Sequence, residues 1–231
     1  MAKITVLGLG PGRAGLITRE SWQLLNSKEL PVVLRTGIHP TVEEIRAAGI
    51  EFTTYDDFYE QAGSFEELYQ AIARDLLRRA AEEGDFVYAV PGSPLVAERT
   101  VVLLRELARE TDVEVEILPG MSFVEVMYTT LGIDPIEGLT IIDAEDVAKL
   151  KERPLQSLVV TQVYHQQIAS DTKLALMDLY GDEYQGLYIH NLALPDESLR
   201  WIPLYELDRQ PDIDHLTTFF VPAKPFFAEK P

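Results

Sequence analysis

The chain of 231 residues contains no cysteine. That excludes a disulfide framework, a thiolate zinc site and a cysteine nucleophile. Positive charge is scarce: 20 Lys and Arg stand against 38 Asp and Glu, for a net charge of −18. Such a surface repels phosphate backbones, so no nucleic-acid partner is expected. No apolar run reaches ~18 residues, and the first residues lack a basic region followed by an apolar core. The expectation is a soluble, cytoplasmic protein with no membrane partner. Carboxylates clustered for magnesium are also missing. Asp56-Asp57 and Asp143-Ala-Glu-Asp146 read as solvated helix starts, so no metal site and no nucleotide hydrolysis by this chain are expected. What is plentiful is apolar residue, at 46%. This is enough for a globular α/β protein of one large or two small domains.

The organising stretch is the first, Lys3 to Thr18. Its apolar run to Leu9 has the β-branched residues of a buried strand. Gly8, Gly10 and Gly12 follow at alternate positions, with Pro11 among them; glycine lets a ligand approach the backbone closely. Thr18 reads as the N-cap of the next helix. A dinucleotide site is disfavoured. Arg13 occupies the place of the last fingerprint glycine, Pro11 removes an N–H, and the second strand ends Leu34-Arg35-Thr36 without an acid. A tight turn with no ligand is the plainer alternative.

Further strands are expected at 31–34, 50–55, 85–90 and 113–118, with helices over 18–27, 41–48, 64–83 and 97–109. The strands at 85–90 and 113–118 run into Pro91-Gly-Ser-Pro94 and Pro119-Gly-Met-Ser-Phe123. Three glycine-bearing turns after parallel strands would share one sheet edge, where open α/β sheets bind ligands. Beyond a helix to residue 131, strands are expected at 139–142, 157–162, 186–191, 199–205 and 216–221, with helices over 144–150 and 166–180. The last two strands have no long helix between them, which predicts an antiparallel pair in a mixed sheet. The tail from Pro222 reads as a linker or as an arm docked on its own domain.

These three turns, in this order, resemble the tetrapyrrole methylase family, the class III S-adenosylmethionine-dependent methyltransferases, over about residues 3 to 222. Arg35-Thr-Gly-Ile-His39-Pro40, Tyr88 to Arg99, Gln162-Val-Tyr164 with Ala169 to Leu174, and Leu204 to Asp208 resemble its YabN-type branch. In that branch a methylase-like domain precedes a MazG-type nucleotide pyrophosphohydrolase domain. No MazG-like acidic helix pair follows here, so the chain looks like the isolated N-terminal half. The resemblance implies two α/β domains, 1–118 and 119–222, with residues 223–231 as tail, a cofactor cleft between them, and a homodimer. It implies S-adenosyl-L-methionine as cofactor, held around Gly10, Pro11, Gly92, Ser93, Val96, Ser122 and Phe123. From the second domain it implies Val163, Tyr164, Leu192, Ala193, His215 and Thr217. Where many relatives have Gly-Asp-Pro this chain has Gly92-Ser93-Pro94, which loses a carboxylate.

The resemblance implies methyl transfer to a small-molecule acceptor, tetrapyrrole-like or not. A surface so poor in cations sits awkwardly with a polycarboxylate acceptor. The alternative function is a non-catalytic module, binding cofactor and serving a fused MazG-type domain. Candidate bases are Tyr164, His39 and His165, and Arg35 is the candidate for gripping a substrate carboxylate. Each has a structural alternative: His39 as a helix cap, Tyr164 as a half-buried aromatic, Arg35 paired with an acid, Arg99 in a surface ion pair.

Overall fold

A computed structural model describes residues 1–61 and 63–224. Most of the expected tail, residues 225–231, lies outside the described residues. Two compact units emerge, Met1–Val126 and Met127–Pro231.

The first unit runs β1 (Ala2–Gly8), α1 (Arg19–Ser27), β2 (Val32–Leu34), α2 (Thr41–Ala47), β3 (Thr53–Thr54), α3 (Asp56–Gln61), α4 (Phe65–Glu83), β4 (Phe86–Val90), α5 (Arg99–Ala108) and β5 (Val113–Ile117). Its sheet is parallel, in the order β3-β2-β4-β1-β5. Every residue of β4 is buried, as befits a strand covered on both faces. Side chains alternate between two layers. Ile4, Val6, Phe86 and Tyr88 pack with α4 and α5, whereas Leu7, Leu9, Val87 and Ala89 pack with Leu25, Val42 and Ile45 of α1 and α2. The helices following β1 and β4 therefore leave to opposite faces, which makes the adjacent ends of these strands the switch point of the sheet. The expected strand at 50–55 shrinks to the two residues Thr53–Thr54. Tyr55 instead turns inward, fully buried, with its hydroxyl on Asp75 at 2.8 Å.

α6 (Phe123–Leu131) carries the division between the units. The second unit continues with β6 (Leu139–Asp143), β7 (Ser157–Thr161), α7 (Gln166–Tyr180), β8 (Gln185–His190), β9 (Ser198–Pro203) and β10 (Thr217–Val221). Its sheet is mixed, in the order β6-β7-β10-β8-β9. The expected pairing of the last two strands is wrong. β9 pairs with β8, and β10 lies between β7 and β8, antiparallel to both. The short connection from β8 folds β9 back on it as a hairpin and occupies one side, so β10 takes the other. The expected helix at 144–150 is a 3-10 helix, Ala144–Lys149. The strand expected to reach 205 stops at Pro203, which lacks a ladder N–H, and a 3-10 helix, Leu204–Arg209, follows. Among the described residues no helix is long and apolar enough to cross a membrane.

Candidate functional site

In the first unit the three glycine turns meet. Gly10 and Gly92 exchange backbone hydrogen bonds, Gly10 N to Gly92 O at 3.2 Å and Gly92 N to Gly10 O at 2.9 Å. Both have positive φ, 74° and 66°, which suits glycine. A Cβ on Gly8 would overlap the Gly92 carbonyl oxygen, and one on Gly120 would come within 2.8 Å of Pro94 Cδ and 3.3 Å of Ser93 Cα. The ends of β1, β4 and β5 are thus gathered at the switch point, with the first two turns laced together.

Side chains pin these turns from outside. The buried Thr41 hydroxyl, at the start of α2, lies 2.8 Å from Gly12 O and 3.2 Å from Leu9 O. His39 Nδ1 accepts from Thr41 N at 3.3 Å. Burial pushes the His39 pKa down to about 4, against a hydrogen bond with the Gly10 backbone. A neutral imidazole so engaged is a poor general base near neutrality, and His39 takes the helix-cap role.

Arg35 N, just past β2, donates to Ala89 O of β4 at 2.9 Å. Its guanidinium pairs with Glu98 at 2.5 Å and donates from Nε to Tyr59 Oη at 3.0 Å. Glu98 is 4% exposed and also caps α5 by accepting from Thr100 N at 3.2 Å. Burial opposes the Arg35 charge, but the neighbouring Glu98 outweighs it and the pKa rises above the ordinary arginine value. The acid that Arg35 pairs with is therefore internal. Arg99 meets Glu66 at 3.5 Å, an exposed surface pair.

The half-buried Ser93 forms no side-chain hydrogen bond among the described residues, and Val96 in the same turn and Pro11 in the first turn are half-buried too. Ser122 is committed to its helix. Its hydroxyl accepts from Val124 N at 3.1 Å and donates to Glu125, whose carboxylate also takes Ser122 N at 2.8 Å. That is a capping box at the head of α6. Phe123 follows, half-buried.

The second unit collects its candidates on one sheet edge. Antiparallel β10 starts where β8 ends, Thr217 opposite His190. Gln162, Asn191 and Ala193, just past β7 and β8, have φ of 61°, 52° and 68°. Non-glycine residues in that region are held there by their surroundings. Val163 and Leu192 are buried, and Ala193 N donates to Glu197 at 2.8 Å. Tyr164 packs edge-on against His165, ring centroids 4.8 Å apart. Burial, with Glu145 and Asp143 nearby, raises the Tyr164 pKa. His165 Nδ1 caps α7, accepting from Ile168 N at 3.2 Å. His215 is exposed, whereas Thr217 is buried and accepts from Asp214 N at 3.0 Å.

Sequence reasoning missed Thr41, Glu98 and a polar cluster under this second edge. There, buried His190 lies 3.5 Å from Asp212 and 3.1 Å from Asp214. Arg200 holds Asp212 at 2.5 Å and stacks over Tyr188. No residue spacing announces these contacts; they arise from strand pairing. A groove of about 740 Å³ lies elsewhere, at the amino ends of β2 and β3, lined by residues including Lys28, Phe52 and Arg79. It is at the opposite end of the strands from the turns. No cluster of three potential metal ligands occurs among the described residues.

The chain matches the model of the tetrapyrrole (corrin/porphyrin) methylases over residues 3–208. It is 38% identical over 220 residues to the "uncharacterized protein YabN" of Bacillus subtilis (strain 168), covering 95% of this chain and 45% of that one. The chain thus spans less than half the length of this curated relative. The fold is shared with uroporphyrin-III C-methyltransferase of Thermus thermophilus, at a TM-score of 0.71 and 18% identity, covering 96% of this chain and 92% of that one. It is shared too with the same organism's enzyme complexed with S-adenosyl homocysteine, at a TM-score of 0.68 and 21% identity, covering 99% and 96%. On the family match and the relative together, this chain belongs to the tetrapyrrole methylase family.

Proposed function

We propose that the protein is a methyltransferase using S-adenosyl-L-methionine, with a small-molecule acceptor. The observation that carries this reading is the meeting of three turns stripped of side chains at the switch point. Gly8 and Gly120 let the turns pack against one another, and beside them Gly92, where a Cβ would meet nothing within 4 Å, presents open backbone of the kind a nucleoside-sized ligand approaches closely. Gly10, Pro11, Gly92, Ser93 and Val96 would hold the donor. The free Ser93 hydroxyl stands where the usual aspartate is replaced, and it both donates and accepts. Phe123 offers a half-buried ring. Ser122 acts through the cap of α6. The second unit's proposed contributions are Val163, Tyr164, Leu192, Ala193, His215 and Thr217.

When bound, S-adenosyl-L-methionine would supply an electrophilic methyl group for a nucleophilic atom of the acceptor. The chain's part is to orient and dehydrate the partners. Pinned by Thr41 and by the Arg35–Glu98 pair, the turns are preorganised for that task. Tyr164, whose raised pKa keeps the phenol protonated, is left as a hydrogen-bond donor to the acceptor rather than as its base.

Calorimetric titration with S-adenosylhomocysteine tests the reading. Saturable binding in the micromolar range is expected, and absence of heat at millimolar ligand would contradict it. A second reading, favoured by the chain covering only 45% of YabN, is a donor-binding module without turnover that serves an attached MazG-type domain. Methylation of an acceptor in a cell-extract assay would rule that out.

A further inference from the structure

The carboxyl end of β2 carries a built polar cluster beside the donor turns. Arg35, its side chain 16% exposed, spends Nη1 on Glu98 and Nε on Tyr59. The Tyr69 side chain is a third hydrogen-bond partner of the guanidinium, which leaves two of an arginine's five N–H donors without a partner among the described residues. The ring of Tyr69 lies under the guanidinium at 5.2 Å. Behind them Tyr88 is fully buried, and its hydroxyl has no hydrogen-bond partner among the described residues. On the same turns and helices, large apolar side chains reach solvent: Tyr59 is 38% exposed, Leu95 50%, Phe65 51% and Ile38 82%. β2 neighbours β4, whose turn carries Gly92 and Ser93. With strands ~4.8 Å apart, the two features lie within reach of one small molecule.

Charge decides what would fit. Glu98 cancels Arg35, and among the described residues no other cation pairs with Glu98. An incoming carboxylate would leave one negative charge uncompensated in a protein of net charge −18. A neutral carbonyl or amide oxygen can accept from a spare Arg35 N–H and brings no charge to be compensated. The aromatic and aliphatic rim suits a flat, apolar body.

We propose that this edge of the first unit is the acceptor subsite, and that it takes an uncharged, planar molecule bearing a hydrogen-bond-accepting oxygen rather than a polycarboxylate. The proposal rests on the methyltransferase reading and names its substrate class.

Two probes of one shape and different charge test it: benzamide and benzoate, titrated into the intact chain saturated with S-adenosylhomocysteine, with binding read by saturation-transfer NMR. Benzamide should bind, and benzoate should bind about tenfold more weakly or less. Glu98→Gln, which leaves Arg35 uncompensated, should bring benzoate level with benzamide or ahead of it. Tyr59→Phe, at the exposed rim, gives a second variant should Glu98→Gln not fold. It frees the Arg35 Nε donor and should strengthen benzamide binding while keeping benzamide ahead of benzoate. Benzoate matching or exceeding benzamide in the unmodified chain overturns the proposal. So does failure of both probes while S-adenosylhomocysteine binds, an outcome that leaves the donor reading intact. Failure of S-adenosylhomocysteine itself strikes the donor reading instead.

Discussion

Gly8 has the least latitude of any residue in the first turn. The atom its Cβ would strike is backbone oxygen of Gly92, which cannot swing aside. Gly8→Ala should therefore cost roughly 1–3 kcal/mol in denaturant unfolding. It should also weaken S-adenosylhomocysteine by at least about tenfold in calorimetry. Thr41→Val keeps the shape but deletes the hydroxyl shared by Leu9 and Gly12 carbonyls. A loss of about 1–3 kcal/mol is expected, since two carbonyls lose a buried donor. His39 makes a pH-dependent contribution. Its pKa falls from 6.5 to about 4 on folding, so the unfolded chain binds the extra proton. Its stabilisation is complete above pH 6.5 and is lost as pH falls towards 4. His39→Asn, whose Oδ1 can still accept from Thr41 N, should lose about 2 kcal/mol less than the parent between those pH values in urea melts. At this scale the glycines were legible because backbone geometry constrains residue type directly. Thr41 and Glu98 were not, because a threonine or glutamate at a helix start reads the same whether it faces water or a buried carbonyl.

Helix and strand elements were legible in proportion to their length and burial. α4 carries apolar residues at the expected 68, 72, 76 and 80, with Ser64 accepting from Glu67 N as its cap. β4 is a continuous apolar run and β1 is buried from Ile4 on, both in the middle of a sheet. Misreadings fall on a short edge strand and on the order of strands within the second sheet. β3 has two residues, too few for a pattern to mark its ends. The order of β8, β9 and β10 depends on which side of β8 is already taken, and a sequence pattern carries no such information. The cap of α6 was also overlooked: Ser122 followed by Glu125 is a capping box, although the resemblance had directed attention to Ser122 as a ligand contact. Ser122→Ala should lower stability by about 1 kcal/mol. Restoring stability with Ser122→Thr, which keeps the acceptor, would identify the cap rather than a lost ligand as the cause.

Across the whole molecule, the family was readable because its signature lies in three turns that one fold must bring together. The acceptor was not, because it depends on how charges are paired rather than on how many there are: in the sequence Arg35 reads equally as a carboxylate grip or as half of an ion pair, and in the fold it is bound to Glu98. The central claim is that the turns after β1, β4 and β5 act as one donor site. Amide chemical shifts recorded during a titration with S-adenosylhomocysteine test it most directly. The account predicts that Gly10, Gly92, Ser93 and Gly120 shift together and saturate at a single ligand concentration. Shifts confined to the groove around Lys28 and Phe52, or turns that respond at different concentrations, would contradict it.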